Sequence, residues 1–87
     1  MNIKALKIIS INEKELIVSC DDGKNRKFNI NRMFEDDIPI GMRETWKLLS
    51  REEFKNAYIL TGDIIWKGRC EILSSEIEKY LEVIYEY

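Results

Sequence analysis

Cys20 and Cys70 are the only thiols in a chain of 87 residues that contains no histidine. A thiol becomes a nucleophile near neutral pH when a base or a cation lowers its pKa, and the imidazole that most often does so is missing. The two cysteines lack the spacing of a redox pair, and each lies in or beside an apolar, strand-like run. They read as reduced structural thiols. With no histidine the commonest metal ligand is gone as well. Asp21-Asp22 and Asp36-Asp37 remain as paired carboxylates for acid–base work or a divalent cation. Adjacent side chains point in different directions, and neither pair has the alternating oxygen spacing of a calcium loop, so both read as turn formers. Gly23, Gly41, Gly62 and Gly68 stand singly, which leaves no phosphate-cradling loop. No catalytic group, metal or cofactor can be named, and the expectation is a protein that is not an enzyme.

The remaining chemistry is that of binding. Glu78, Glu82 and Glu86 recur every fourth residue. On a helix that spacing stacks like charges and costs a few tenths of a kcal/mol per pair, roughly, which a basic partner would relieve. Tyr85 and Tyr87 would add aromatic surface to the same contact. An ordinary solvated face is the simpler alternative. Lys24, Arg26 and Lys27, with Arg32 close behind, form a local basic edge able to meet phosphates. Asp21 and Asp22 adjoin it, as they would at a solvated hairpin tip. Trp46, Phe54, Tyr58 and Trp66 fit a stacking platform, or in a chain this short the core itself.

The elements that must position these groups follow from periodicity. Ile3 to Ile11 is β-branched but shifts phase between Ile3/Ala5 and Leu6/Ile8, and again at Ile9/Ile11, which predicts a strand that is bulged or has both faces partly covered. Leu16, Val18 and Cys20 alternate with Ile17 and Ser19 after the polar break Asn12-Glu13-Lys14, predicting a hairpin partner. Asp22-Gly23 marks a tight turn into a third strand over Arg26 to Ile30. Asn31 is expected to cap a short helical turn, and Ile38-Pro39-Ile40-Gly41 reads as an irregular crossing segment before the anchors Trp46, Leu48 and Leu49. Ser50 with Glu53 has the form of a capping box closed by Phe54. Gly62-Asp63 is expected to turn a hairpin between Asn56 to Leu60 and Ile64 to Trp66. Ser75 with Glu78 then caps a C-terminal helix whose Ile77, Tyr80, Leu81 and Ile84 share one face.

Length limits the chain to a single domain, residues 1–87, and 45% apolar with 34% charged residues is a globular balance. So small a domain buries a modest fraction of its surface, which makes self-association or a partner subunit valuable. A net charge of −2 offers no general attraction to nucleic acid or to an anionic membrane. The N-terminus lacks the pattern of a secretory leader, and no apolar run approaches the roughly 20 residues that span a bilayer. The expected location is the cytoplasm.

From the Asp22-Gly23 hairpin to its C-terminal helix the chain resembles the bacterial domain-of-unknown-function family 2442. The family's strand, Asp-Gly, second strand, short turn and capped turn ending in Phe correspond to Asp22-Gly23, Phe28 to Ile30, Asn31 to Phe34 and Ser50 to Phe54. Ile64-Ile65-Trp66 is similar to its Ile-Val-Trp strand, with Glu71-Ile72 where Asp-Leu is usual. Lys67-Gly68-Arg69 replaces its Pro-Asn-Gly, and Ser74 stands where a proline often begins the helix. The resemblance implies a small α+β domain, sometimes beside DNA-binding or toxin–antitoxin-like partners, with no settled activity.

The expectation is therefore an α+β fold of two layers, a mainly antiparallel sheet of about five strands with a C-terminal helix and short helical turns. Its expected role is that of an interaction or accessory module, as a homodimer or a partner subunit. The alternative is a nucleic-acid-associated or toxin–antitoxin-like component that uses Lys24, Arg26, Lys27 and Arg32.

Overall fold

The computed structural model of the chain describes residues 2–85. Strict alternation builds its centre. On β2 (Glu15–Cys20) the inward residues are Leu16, Val18 and Cys20, and on β3 (Asn25–Asn29) they are Arg26 and Phe28. The two strands pair antiparallel with Leu16 opposite Phe28 and Val18 opposite Arg26. Their turn is a three-residue loop in which the Cys20 carbonyl accepts the Gly23 N–H at 3.1 Å and Gly23 takes φ +82°. A β-carbon would resist that left-handed conformation, which is why the Asp-Gly pair marks the position.

β1 (Ala5–Ile11) pairs with β2, and its register slips between Ala5 and Lys7 and again between Ile8 and Ser10. The phase shifts in the sequence are therefore two bulges, and Leu6 and Ile9 are the residues left over. Only with both bulges can Ala5, Ile8 and Ile11 all turn toward the core.

The α+β class and the antiparallel pairing are as expected, but the strands number seven and divide between two sheets. One has the order β1-β2-β3-β7, and the other joins β4 (Tyr58–Leu60), β5 (Asp63–Trp66) and β6 (Cys70–Ile72) in sequence order. The turn between β4 and β5 is Thr61-Gly62, at φ +49° and +91°, rather than Gly62-Asp63. Asp63 belongs to the ladder opposite Leu60, and its carboxylate accepts the Ser74 N–H at 2.7 Å. Gly62 also lies against Lys4, whose Cγ would be 2.8 Å from an added β-carbon.

Three short helices cross the sheets: α1 (Ile40–Lys47), α2 (Arg51–Phe54) and α3 (Ile77–Tyr80). Ile40 and Gly41, expected to close an irregular crossing segment, instead open α1. Gly41 and Thr45 are weak helix formers and Trp46 is its only fully buried residue, so its periodicity is faint, while Pro39 marks its start. The expected capping box before α2 is present, with Glu53 N–H donating to Ser50 Oγ at 3.0 Å and Ser50 N–H to Glu53 Oε1 at 3.1 Å. The 3-10 turn at Ile30–Phe34 is capped by Asn29, which accepts the Asn31 N–H at 2.9 Å, and not by Asn31.

The largest departure is at the C-terminus. The helix expected to run through Ile84 ends at Tyr80; Leu81 is extended, and Glu82–Ile84 forms β7 beside β3. Val83 and Ile84 are β-branched, and β3 offers a free edge for them to pair with. The change also removes the repulsion of Glu78 and Glu82 on one helix face and sets Glu82 opposite Lys27. Ile77, Tyr80 and Leu81 are buried as expected, whereas Ile84 is half-buried. The expected Ser75–Glu78 box is replaced by Glu76, whose carboxylate accepts the Leu73 N–H at 3.0 Å.

Four aromatic rings meet in the core. Phe28 lies 5.6 Å from Trp46, 6.2 Å from Phe54 and 5.9 Å from Trp66, centroid to centroid. The indole N–H of Trp66 donates to the Phe54 carbonyl at 2.8 Å, so the ring buries its only polar atom with a partner. Trp46, Phe54 and Trp66 are thus packing residues, and Tyr58 alone of the expected stacking set reaches the surface.

Candidate functional site

The basic residues read from the sequence do not share a surface. Arg26 points inward and is 4% exposed. Both arms of its guanidinium fork grip Asp22, at 2.9 and 2.8 Å. That contact holds the Asp22 carboxyl down at about 2, and the same guanidinium lies beside the Cys20 thiol. Burial raises the Cys20 pKa more than Arg26 lowers it, so the thiol stays protonated. Lys27 faces Glu15 at 3.5 Å across the β2–β3 pair. Arg32 forks onto Asp37 with two bonds of 2.9 Å, also meets Glu35 at 3.4 Å, and lies over the Tyr80 ring. Lys24 alone of the four is exposed in a turn without an ion pair among the described residues. A phosphate approaching Arg26 or Arg32 would have to displace a carboxylate already held in bidentate geometry.

The acidic set is dispersed too. Glu78 is exposed on α3 and Glu82 on β7, so the two do not stack on one helical face. Tyr85 follows β7 and is 80% exposed, while Glu86 and Tyr87 lie outside the described residues. The electrostatic column that motivated a basic partner is absent between Glu78 and Glu82.

Cys70 is half-buried at the start of β6, with Sγ 4.0 Å from the Thr45 carbonyl. Burial pushes its thiol up to about 11. It lines an open hollow of about 400 Å³ with Met42, Trp46, Ile65 and Glu71. A thiol so raised is a poor nucleophile at neutral pH. Among the described residues no cluster of three or more cysteine, aspartate and glutamate side chains is arranged to hold a metal ion.

A different surface emerges on β1 and β4. Leu6 is 59% exposed, Ile9 47% and Leu60 56%, with Tyr58 also on the outside. β1 lies beside β4, and the two sheets are joined where Ala5 N–H donates to the Gly62 carbonyl at 3.0 Å and the Lys4 stem covers Gly62. The signal for half of this surface was in the sequence. A residue inserted at a bulge breaks the inward alternation and is turned out, and both phase slips of β1 insert a large aliphatic residue. That β4 would stand next to it depends on contacts between segments more than 40 residues apart.

Comparison of the chain with protein-family models, with curated proteins and with solved structures gives no match. The resemblance to family 2442 therefore rests on the residues quoted for it alone. Among the described residues no helix is long and apolar enough to cross a membrane.

Proposed function

We propose that this protein is a protein-binding module, not an enzyme, and that its partner docks on the outer surface of β1 and β4. The observation that carries this reading is the exposure of Leu6, Ile9 and Leu60 on neighbouring strands. Single exposed apolar residues are ordinary, but neighbouring ones keep a cost in water that an interface removes. Burying three such aliphatic side chains would contribute on the order of 1.5–3 kcal/mol each if coverage were complete. The raised pKa values of both thiols favour binding over covalent chemistry.

The test is a Leu6→Ser/Ile9→Ser/Leu60→Ser variant compared with the unaltered chain by melting temperature, sedimentation and affinity capture from cell extract. The substituted side chains contribute little to the core, so the variant is expected to melt close to the parent and to lose its specific partners. An identical set of captured proteins at equal yield would remove this surface from consideration.

A further inference from the structure

Every arginine except Arg43, together with Lys27, Lys47 and Lys55, has a carboxylate within ion-pair distance. Lys4, Lys7, Lys14, Lys24, Lys67 and Lys79 have none among the described residues, and the first four lie on β1 or in the segments that adjoin β1 and β2. Lys7 is on β1 and Lys4 just precedes it, Lys14 lies in the turn that leaves β1, and Lys24 is in the β2–β3 turn. The turn is tied to Lys4 through a 2.9 Å bond from Asp21 N–H to the Lys4 carbonyl. Asp21 offsets part of this charge at one end, its carboxylate accepting the Lys4 N–H at 3.0 Å, while Glu13 at the other end faces Arg51 at 3.8 Å. A local positive excess remains on a chain whose net charge is −2.

Leu6 and Ile9 stand among these lysines as the exposed residues of the two bulges. We propose that the outward side of β1 binds an acidic segment of a partner protein, with carboxylates meeting Lys4 and Lys7 and aliphatic side chains covering Leu6 and Ile9. This rests on the binding-module reading and adds the chemistry of the occupant. A second copy of the chain is the poorer fit, because a two-fold contact through one face sets that face's positive charge against itself. Nucleic acid fits less well too. Tyr58 is the single aromatic ring exposed on β1 and β4, and Arg26 and Arg32, the forked groups of the basic edge read from the sequence, are held by aspartates. An anionic bilayer would call on a belt of aromatic anchors, and with both tryptophans in the core this surface has Tyr58 alone. The bulges also interrupt the even spacing that strand addition needs, so side chains carry the recognition.

The experiment selects a displayed library of short random peptides on the full chain and reads the composition of the bound pool. Aspartate and glutamate are expected to rise roughly threefold over the unselected library, interleaved with aliphatic residues. A selected peptide should bind Lys4→Glu/Lys7→Glu about tenfold more weakly, and bind the parent more weakly as salt rises. Lys4→Gln/Lys7→Gln, which removes charge without reversing it, should fall between the two. A selected pool with no acidic enrichment, lost by Leu6→Ser/Ile9→Ser, would overturn the acidic occupant and leave the binding module standing. No selection above background would overturn both. Poly-dT or phosphatidylserine vesicles are tested in parallel. Retention of either, lost in the Lys→Glu variant and with no acidic peptide selected, would overturn the proposal in favour of that polyanion, and self-association lost in the same variant would do so in favour of a second copy.

Discussion

Arg26 on β3 and Lys7 on β1 are cations in one sheet with a single strand between them, and their surroundings differ in every respect. Arg26 is enclosed, forked onto Asp22 and neighboured by Cys20, because a buried charge costs several kcal/mol, roughly, unless it is paired and hydrogen-bonded. Lys7 is exposed, has no ion-pair partner among the described residues and stands between two outward aliphatic residues. The interior has spent its polar groups on one another, and no buried side-chain polar atom among the described residues lacks a partner. The outer side of β1 keeps both apolar area and free charge. Substitutions inside therefore report on folding, while substitutions on the outer side of β1 test the proposed docking surface.

That contrast can be broken first from the inside. Trp66→Ala removes a ring packed against Phe28, Trp46 and Phe54 and the indole bond to Phe54, and should cost about 3–5 kcal/mol in denaturant unfolding. A loss below about 1 kcal/mol would mean that the aromatic cluster is not the centre of the core. Ser50→Ala removes one half of the capping box at α2 and should cost about 1 kcal/mol, read from the same unfolding midpoint. An unchanged midpoint would show that tertiary contacts alone hold that turn.

A pH series sharpens the comparison further. The carboxyl of Asp22 falls from an ordinary 3.8 to about 2 in the folded state, chiefly through its hydrogen bonds to Arg26. A group depressed on folding stabilises above its unfolded pKa and loses that contribution as pH falls through the folded one. The Asp22–Arg26 contribution is thus complete well above about 4, shrinks as pH falls toward about 2 and is gone only below that. Asp22→Asn should melt at a lower temperature than the parent at pH 6, with the gap reduced to a small remainder by about pH 2. A difference that persists undiminished at pH 2 would assign it to packing. The smallest expected effect is on the outside, where Leu6→Ser with Ile9→Ser should shift stability by less than about 0.5 kcal/mol while weakening partner capture. A large loss of stability would make the bulge residues part of the core after all.

Much of the architecture was legible in local pattern. The alternation of Leu16, Val18 and Cys20, the Asp22-Gly23 turn, the bulged phase of β1 and the Ser50–Glu53 box all recur in the structure. Each is specified within a few residues, by side-chain period, by tolerance of positive φ or by a reach-back hydrogen bond. The fate of Leu81 to Ile84 was not legible in that way. Ile77, Tyr80, Leu81 and Ile84 satisfy a helical period, and the segment nevertheless pairs with β3, a choice available only once β3 presents a free edge.

The candidate site divides along the same line. Residue order marked where the phase of β1 slips, and the pairing with β2 decided that Leu6 and Ile9 are the residues turned outward at those slips. Which lysines and arginines stay free was decided by the tertiary structure. Arg26 is four residues from its partner Asp22 and meets it on the inward side of the β2–β3 hairpin; Arg69 finds Glu53 across 16 positions, and the ammonium groups of Lys4 and Lys7 have no ion-pair partner among the described residues. Ion pairing acts over a few ångströms and with a strength set by burial, so charge in the sequence becomes surface potential only after the fold has arranged every partner.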